Sequence, residues 1–396
     1  MILLLCIVIW KKPSLQLKLG NVLVRSDLNV PINNKKVSDN FRILKAVSYL
    51  DELKKISKNI IFCSHLGRPK GFDSTFSLEP VAIELSNIIN EKVEFINDCL
   101  HENISDTINN SSGKVYLLEN LRFYSGEEEN DLEFSKKLSN PYDSFIFDAF
   151  GSAHREHASV VSVGKFLDSY QGKLVSKEVS ELQPLIEGPD KPFSIILGGA
   201  KVSDKLQMIE NLLPNVDNLL LGGGMCFTFL KALGFNIGKS LFEESYVPIA
   251  KKILDSTEGS KILLPTDFGV TTDINSSDRF EKQINDFCDD DIGVDIGKES
   301  VESFIKFLED SKTIFWNGPM GVFENSAFAY GTKEVTSFLS QTTANTVVGG
   351  GDSVSAINTF SKLEMFNHIS TGGGASIEFL EGIDLPGVDK YNSLII

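Results

Sequence analysis

The sequence predicts an α/β protein made of two doubly wound domains, each a mostly parallel sheet with helices on both faces. Three observations carry this. Short apolar, β-branched runs recur along the chain and alternate with stretches of helical periodicity, the pattern of parallel strands covered on both faces. The 396 residues exceed the size at which one hydrophobic core keeps growing. The segment LVSKEVSELQPLIEGPDKPF, 174–193, runs an amphipathic helix into Gly188, Pro189 and Pro192 and parts the runs into two series.

In the first series the expected strands are NVLV (21–24), NIIFC (59–63), KVEFI (92–96), KVYLL (114–118) and SFIFD (144–148). FRILKAVSYLDELKKI, 41–56, places apolar residues at spacings of three and four and reads as one helix. The second series offers FSIIL (193–197), NLLL (218–221), KILL (261–264), TIFW (313–316) and TVV (346–348), with SVESFIKFLEDS (300–311) as a helix between the last two pairs. No repeat of 20–50 residues and no low-complexity tract interrupts them, so solenoids and disordered tails are set aside.

Composition narrows the function. With 42% hydrophobic and 23% charged residues the chain reads as a soluble globular protein, and its net charge of −16 opposes nucleic acid or an anionic membrane as partner. Five scattered cysteines without a C-x-x-C pair read as buried thiols of a reducing cytosol. The opening MILLLCIVIW is too short to span a bilayer and has no basic segment before it, so it is expected to be an extended first strand or a misplaced start.

Ligands of open parallel sheets bind beyond the carboxyl ends of the strands. There the first series carries Arg25, Asp27 and Asn29 (RSDLNVP), His65 and Arg68 (SHLGRP), Arg122 (ENLRFY), then Asp148, His154 and Arg155 (DAFGSAHREHAS). Only six of the 38 basic residues are arginines and five of them precede residue 156. Guanidinium suits carboxylate and phosphate, so converging tips of this kind predict an anion pocket. His154 and His157 share a helical spacing suited to a metal, but no third ligand follows and Arg155 opposes a cation.

The tips of the second series are glycine-rich: LGGAKVSDK (197–205), LGGGMCF (221–227), FWNGPMGVFE (315–324), VGGGDS (348–353) and STGGGAS (370–376). Glycine admits close approach of backbone to ligand, and helix amino ends favour phosphate. With Lys201 and Lys205 beside them, five such tips predict a nucleotide site. No G-x-x-x-x-G-K-[ST] occurs, and Phe227 breaks the G-x-G-x-x-G of a dinucleotide site. Asp352, at an expected helix start, suits either an N-cap or Mg²⁺ beside phosphate.

These motifs, with LPTDFGV and STGGGASIEFLEG, stand in an order that resembles the phosphoglycerate kinase family from about residue 20 to the end. The resemblance implies two Rossmann-like domains joined by a hinge: residues 1–173 for phosphoglycerate, 174–192 as linker helix and hinge, 193–376 for nucleotide, and 377–396 returning to the first domain. It implies reversible phosphoryl transfer from 1,3-bisphosphoglycerate to ADP, giving 3-phosphoglycerate and ATP with Mg²⁺, by a cytoplasmic monomer. Carried over by motif, Asp27, Asn29, Arg42, His65, Arg68, Arg122, His154 and Arg155 would bind phosphoglycerate. Lys201 and Lys205 would hold nucleotide phosphates, Asp352 would meet Mg²⁺ and Glu324 the ribose. Gly198, Gly199, Gly222 and Gly223 would line the adenine site, with Gly351 and Ser353 in the nucleotide loop. Asn317 and Gly373 would lie near the transferred phosphoryl, with Arg42, Lys201 and Gly373 as the catalytic set. Ser26, Leu28 and Cys226 depart from the usual Val, Phe and Ala without removing a functional side chain. Outside this family, a nicotinamide dehydrogenase and a non-catalytic nucleotide sensor are the competing readings; neither needs the arginine-rich first half.

Overall fold

The computed structural model describes residues 18–110, 114–388 and 391–393. The strand expected at residues 1–10 lies outside them. The chain divides into two compact units, Met1–Asp148 with Glu156–Lys173 and Tyr391–Ile396, and Ala149–Arg155 with Leu174–Lys390.

The first unit holds a seven-stranded sheet, entirely parallel, in the order Asn392–Ser393, Asp168–Gln171, Ser144–Asp148, Gly20–Ser26, Ser57–Cys63, Val115–Leu118, Glu94–Ile96. Successive side chains of a strand face opposite sides. Val22, Val24, Ile60 and Phe62 accordingly share one core with Ile43, Leu50, Leu53, Val81 and Leu85 of the helices on that face. Leu23 and Ile61, pointing the other way, are equally buried, so both faces are covered and the apolar runs need no alternation. The chain order reverses at Gly20–Ser26, with later strands on one side and Ser144–Asp148 on the other. In open parallel sheets ligands bind at such a switch point, beyond the carboxyl ends of the strands.

The second unit centres on a six-stranded parallel sheet, Ile262–Leu263, Asn218–Leu221, Phe193–Leu197, Thr313–Asn317, Asn345–Gly349, His368–Ile369. Its switch point lies between Phe193–Leu197 and Thr313–Asn317. Trp316, fully buried here, donates its indole N–H to Gly318 O at 2.8 Å.

Three features differ from the sequence expectation. The helix over 41–56 is two helices, Phe41–Ala46 and Leu50–Ile56. The break falls where Val47 and Ser48 weaken the helix and Tyr49 turns inward, its hydroxyl donating to Asp148 Oδ2 at 2.6 Å. Asp148, a strand-tip candidate, is thereby used inside the first unit. An antiparallel sheet of Phe280–Gln283, Asp267–Thr271 and Ile292–Ile296 was not foreseen, because FEKQ and IGVDI are too polar and broken to read as apolar runs. Asp267 anchors it by accepting from the backbone N–H of Glu299 at 3.0 Å and Ser300 at 2.7 Å, at the start of helix Lys298–Glu309. Finally, Cys63, Cys99 and Cys226 are buried as expected, whereas Cys288 is exposed.

The C-terminal segment is shared between the units. Helix Gly374–Leu380 belongs to the second, with Phe379 edge-on to Phe150 at 6.2 Å. Tyr391 belongs to the first, its hydroxyl donating to Val160 O at 2.7 Å.

Candidate active site

In the first unit the tips of adjacent strands are wired to one another. Arg42 from helix Phe41–Ala46 meets Asp27 at 2.5 Å. Asn29 Oδ1 accepts from Gly67 N–H at 3.0 Å, and Arg122 Nη1 donates to Gly67 O at 2.6 Å while its Nε lies 3.1 Å from Glu128. Asn120 joins the two arginine loops. Its Oδ1 accepts from the backbone of Leu66 and Arg122, and its Nδ2 donates to Leu66 O at 2.8 Å and Phe76 O at 2.9 Å. The unit thus brings together Asp27, Asn29, Arg42, His65 and Arg122; Arg68 stands on the same loop as His65, exposed.

His65 is buried, with Nδ1 3.0 Å from Arg25 Nη2. Burial, then the charges of Arg25, Arg122, Arg42 and His157, hold its pKa well below the ordinary imidazole value. Arg25 is wholly buried. Its Nε donates to Ser159 Oγ at 2.8 Å, and Ser159 donates in turn to the buried carboxylate of Glu127 at 2.6 Å. Burial pushes Glu127 up, against the pull of Arg25 and Ser159. Sequence reading missed Asn120, Glu127 and Ser159; the signal for Glu127 was a carboxylate in a run, EEEND, that reads as a solvated surface.

His154 and Arg155 group with the second unit, both half-buried. Arg155 opposes the upward shift that burial gives the Glu378 carboxyl.

In the second unit the glycine tips divide into two kinds. Gly198 N–H donates to Asn317 O at 3.0 Å, Gly199 N–H to Pro319 O at 2.9 Å, Gly223 N–H to Met320 O at 3.0 Å. A Cβ on Gly223, whose φ is +62°, would stand 2.6 Å from Gly199 N. These tips are glycine because three backbones meet there. Gly351, Gly373 and Gly374, by contrast, have nothing among the described residues within 4 Å of where a Cβ would stand.

Lys205 is buried where those backbones meet, its ammonium bonded to Gly198 O and, at 2.9 Å, to Asn317 O. Burial lowers its pKa to about 8, against the opposing charges of Asp352 and Asp204. Asn317 is buried, and its side-chain Nδ2 has no hydrogen-bond partner among the described residues, 3.0 Å from where a Cβ of Gly350 would stand. A buried amide donor at a glycine loop fits an anionic oxygen. Ser353 Oγ accepts from Gly318 N–H at 2.7 Å, which leaves its hydroxyl proton to donate. Lys201, Glu324 and Asp352 are exposed.

A cavity of about 310 Å³ opens beside these tips. Gly199, Gly223, Glu324 and Asp352 line it together with Phe227, Leu241, Phe268, Met320 and Val322. Apolar walls with a few polar groups at one side suit a flat heterocycle carrying a polar tail. Asp295, also in the lining, is pushed up to about 7 by burial, against the N–H of Gly331 and the charge of Arg279. The apolar walls come from residues that a sequence reading assigns to core.

The family model for phosphoglycerate kinase matches residues 13–383. The chain belongs to the phosphoglycerate kinase family. It is 47% identical over 377 residues to phosphoglycerate kinase from Dictyoglomus turgidum, covering 94% of this chain and 95% of that one. The Finegoldia magna phosphoglycerate kinase is also 47% identical, with 93% and 95% covered. Among solved structures, phosphoglycerate kinase from Coxiella burnetii superposes with a TM-score of 0.84 at 37% identity, covering 95% of this chain and 96% of that chain. The enzyme from Pyrococcus horikoshii gives 0.81 at 32% identity, with 94% and 96% covered. Two parallel sheets flanked by helices are thus the phosphoglycerate kinase architecture as well as that of this chain.

Proposed function

We propose that the chain moves a phosphoryl group directly, in line, from 1,3-bisphosphoglycerate held by the first domain to ADP held by the second, giving 3-phosphoglycerate and ATP, and reversibly so. The observation that carries this reading is the division of chemistry between the two switch points. Arginines, His65 and Asn29 gather at one, while glycine backbone, lysine and a shaped apolar cavity gather at the other.

In this proposal Asp27, Asn29, Arg42, His65, Arg68, Arg122, His154 and Arg155 bind the phosphoglycerate. Gly198, Gly199, Gly222, Gly223 and the apolar cavity take adenine, Glu324 the ribose, and Lys201, Lys205, Gly351 and Ser353 the phosphate end. Arg42, Lys201, Asn317 and the Gly373 loop surround the migrating group. No nucleophile or general base is required, because the acceptor oxygen is already ionised on either substrate. Catalysis rests on alignment and on neutralising charge over the phosphoryl oxygens.

Mg²⁺ is proposed to accompany the nucleotide. Among the described residues no group of three or more His, Cys, Asp or Glu gathers for a metal, and exposed Asp352 suits a cation that takes one carboxylate and completes its shell with phosphate and water. Bound there, it would offset phosphate charge. Residues 1–173 and 193–376 are proposed as the two ligand domains, with 174–192 as the hinge that lets both ligands meet; of the expected return segment 377–396, only the end from Tyr391 groups with the first unit. Scattering that gives one radius of gyration for apo and ternary forms would refute the hinge. Among the described residues no helix is long and apolar enough to cross a membrane. A cytoplasmic monomer without nucleic-acid or membrane partners is the proposed setting.

The direct test is MgATP-dependent phosphorylation of 3-phosphoglycerate, coupled to a dehydrogenase that consumes the acyl phosphate, with Arg155→Ala as control. Turnover lost in the control is expected. ADP binding without turnover in the wild type would refute the assignment of the acid substrate.

A further inference from the structure

Three buried hydrogen bonds of the Arg25 guanidinium bear on what His65 can be. Arg25 Nε donates to Ser159 Oγ at 2.8 Å, Nη1 to Ser26 O at 2.5 Å, and Nη2 lies 3.0 Å from His65 Nδ1, all buried. On the far side of Ser159, whose N–H and hydroxyl both donate to it, stands the carboxylate of Glu127, itself without solvent exposure. A guanidinium has only N–H donors and cannot deprotonate in a protein. Nδ1 of His65 must therefore present its lone pair, because a proton there would set donor against donor.

We infer that Arg25, held by Ser159 and Glu127, is a positioning residue that fixes His65 as the neutral Nε2–H tautomer, so that His65 meets the acid substrate as a hydrogen-bond donor and not as a cation. The donor role rests on the phosphoglycerate pocket proposed above. The tautomer rests on contacts within the first unit alone.

The surroundings act in the same direction. His65 faces Arg25 from strand Gly20–Ser26, Arg42 from helix Phe41–Ala46, Arg122 from the turn Leu121–Phe123, and His157 from the segment before Ala158–Ser162. Each opposes a second proton on the ring, as does burial. The balancing carboxylate, Glu127, bonds to Ser159 and lies 3.9 Å from His157 Nδ1. The positive charge that an ordinary histidine supplies only at acid pH is thus placed permanently on Arg25, one bond behind the ring. An Nδ1–H tautomer would instead turn the Nε2 lone pair on an anionic ligand.

The test is a long-range ¹H–¹⁵N correlation spectrum of histidine-labelled full chain between about pH 5 and 8, with His65 assigned by the signals lost in His65→Gln. A pyridine-type Nδ1 and a pyrrole-type Nε2, unchanged over that range, are expected. A pyrrole-type Nδ1, or a ring that titrates within it, would overturn the inference, and either is readable in wild type even if a variant does not fold. In Arg25→Met the lock is gone while burial, Arg122 and Arg42 still oppose a second proton, so the Nδ1 and Nε2 signals of His65 are expected to move toward the averaged shifts of two exchanging neutral tautomers, and the KM for 3-phosphoglycerate to rise. An Arg25 of purely structural use would lower stability in this variant and leave the tautomer signals in place, which would overturn the lock. Adding 3-phosphoglycerate to wild type should shift the Nε2 signal. An intact tautomer that ignores the ligand would overturn the donor role and the pocket reading while leaving the lock.

Discussion

Glu178 offers the sharpest test of how the last glycine loop is held. It is buried in helix Lys173–Glu187 and accepts three hydrogen bonds, from His368 Nε2 at 2.8 Å and from Thr371 N–H and Oγ1 at 2.7 Å each. Thr371 immediately precedes Gly372–Gly374. Burial alone would raise this carboxyl's pKa, yet the bonds from His368 and Thr371 and the His368 charge hold it below the ordinary value. Glu178→Ala leaves a buried backbone N–H and an imidazole without their partner. Breaking a buried hydrogen-bonded pair costs about 3–5 kcal/mol, and each orphaned donor accounts for about 1–3 kcal/mol of it. With a urea slope of about 3 kcal/mol/M, the midpoint should fall by roughly 1 to 1.7 M. Trp316 reports this unit once Trp10, the only other tryptophan, is replaced by Phe. Glu178→Gln, which keeps shape and one acceptor, should cost roughly 1–2 kcal/mol. The pH dependence has a definite sign. An acid depressed in the folded state stabilises above its unfolded pKa of about 4.3 and loses that contribution as pH falls through the folded value. The acid-side loss should therefore be smaller in Glu178→Gln. A midpoint moved by less than about 0.3 M in Glu178→Ala, equivalent to under about 1 kcal/mol, would refute the reasoning.

Arg42→Ala and Lys201→Ala should each lower kcat by about 10²-fold, or roughly 3 kcal/mol of transition-state stabilisation; a raised KM with unchanged kcat in the coupled assay would count against their catalytic roles. Lys205, with its pKa near 8, should take up roughly half a proton when ADP binds at pH 8, because phosphate restores its charge. Calorimetry in buffers of different ionisation enthalpy measures that uptake, and Lys205→Met should abolish it. The linked stability effect rises with pH from about 8 to about 10.4, the interval in which the unfolded chain binds the extra proton. Gly223→Ala should destabilise the second unit by more than about 1 kcal/mol, since it adds a Cβ at positive φ against Gly199. Gly374→Ala, with open space around the new Cβ, should leave the melting curve in place and slow turnover; the reverse order of effects would refute the distinction between packed and open glycines.

Much of the fold was legible because parallel strands buried on both faces leave continuous apolar runs, and NIIFC, SFIFD, FSIIL and TIFW fall on strands of the two large sheets. The excursion through Asp267–Thr271, Phe280–Gln283 and Ile292–Ile296 escaped because its strands are short, Asp267, Asp295 and the partly exposed FEKQ bring polar side chains into them, and Gly269 and Gly293 interrupt what apolar run remains. At the site, the strand-tip rule located the arginines and glycine loops, since it depends only on chain direction. It could not say which polar residues face outward. Arg25 and Asp148 stand at neighbouring tips, in register with Phe147 and Ser26, yet both side chains turn inward, to His65, Ser159 and Tyr49. Long-range partners decide that, and Ser159 and Tyr49 lie 134 residues after Arg25 and 99 residues before Asp148. A strand places a residue at the rim of a site, but whether it touches ligand or holds another residue toward ligand depends on contacts that only the folded chain creates. The motif names Arg25 but not its direction, and the partners that turn it inward and hold the arginine loops, Glu127, Ser159 and Asn120, come from segments whose contacts only folding creates.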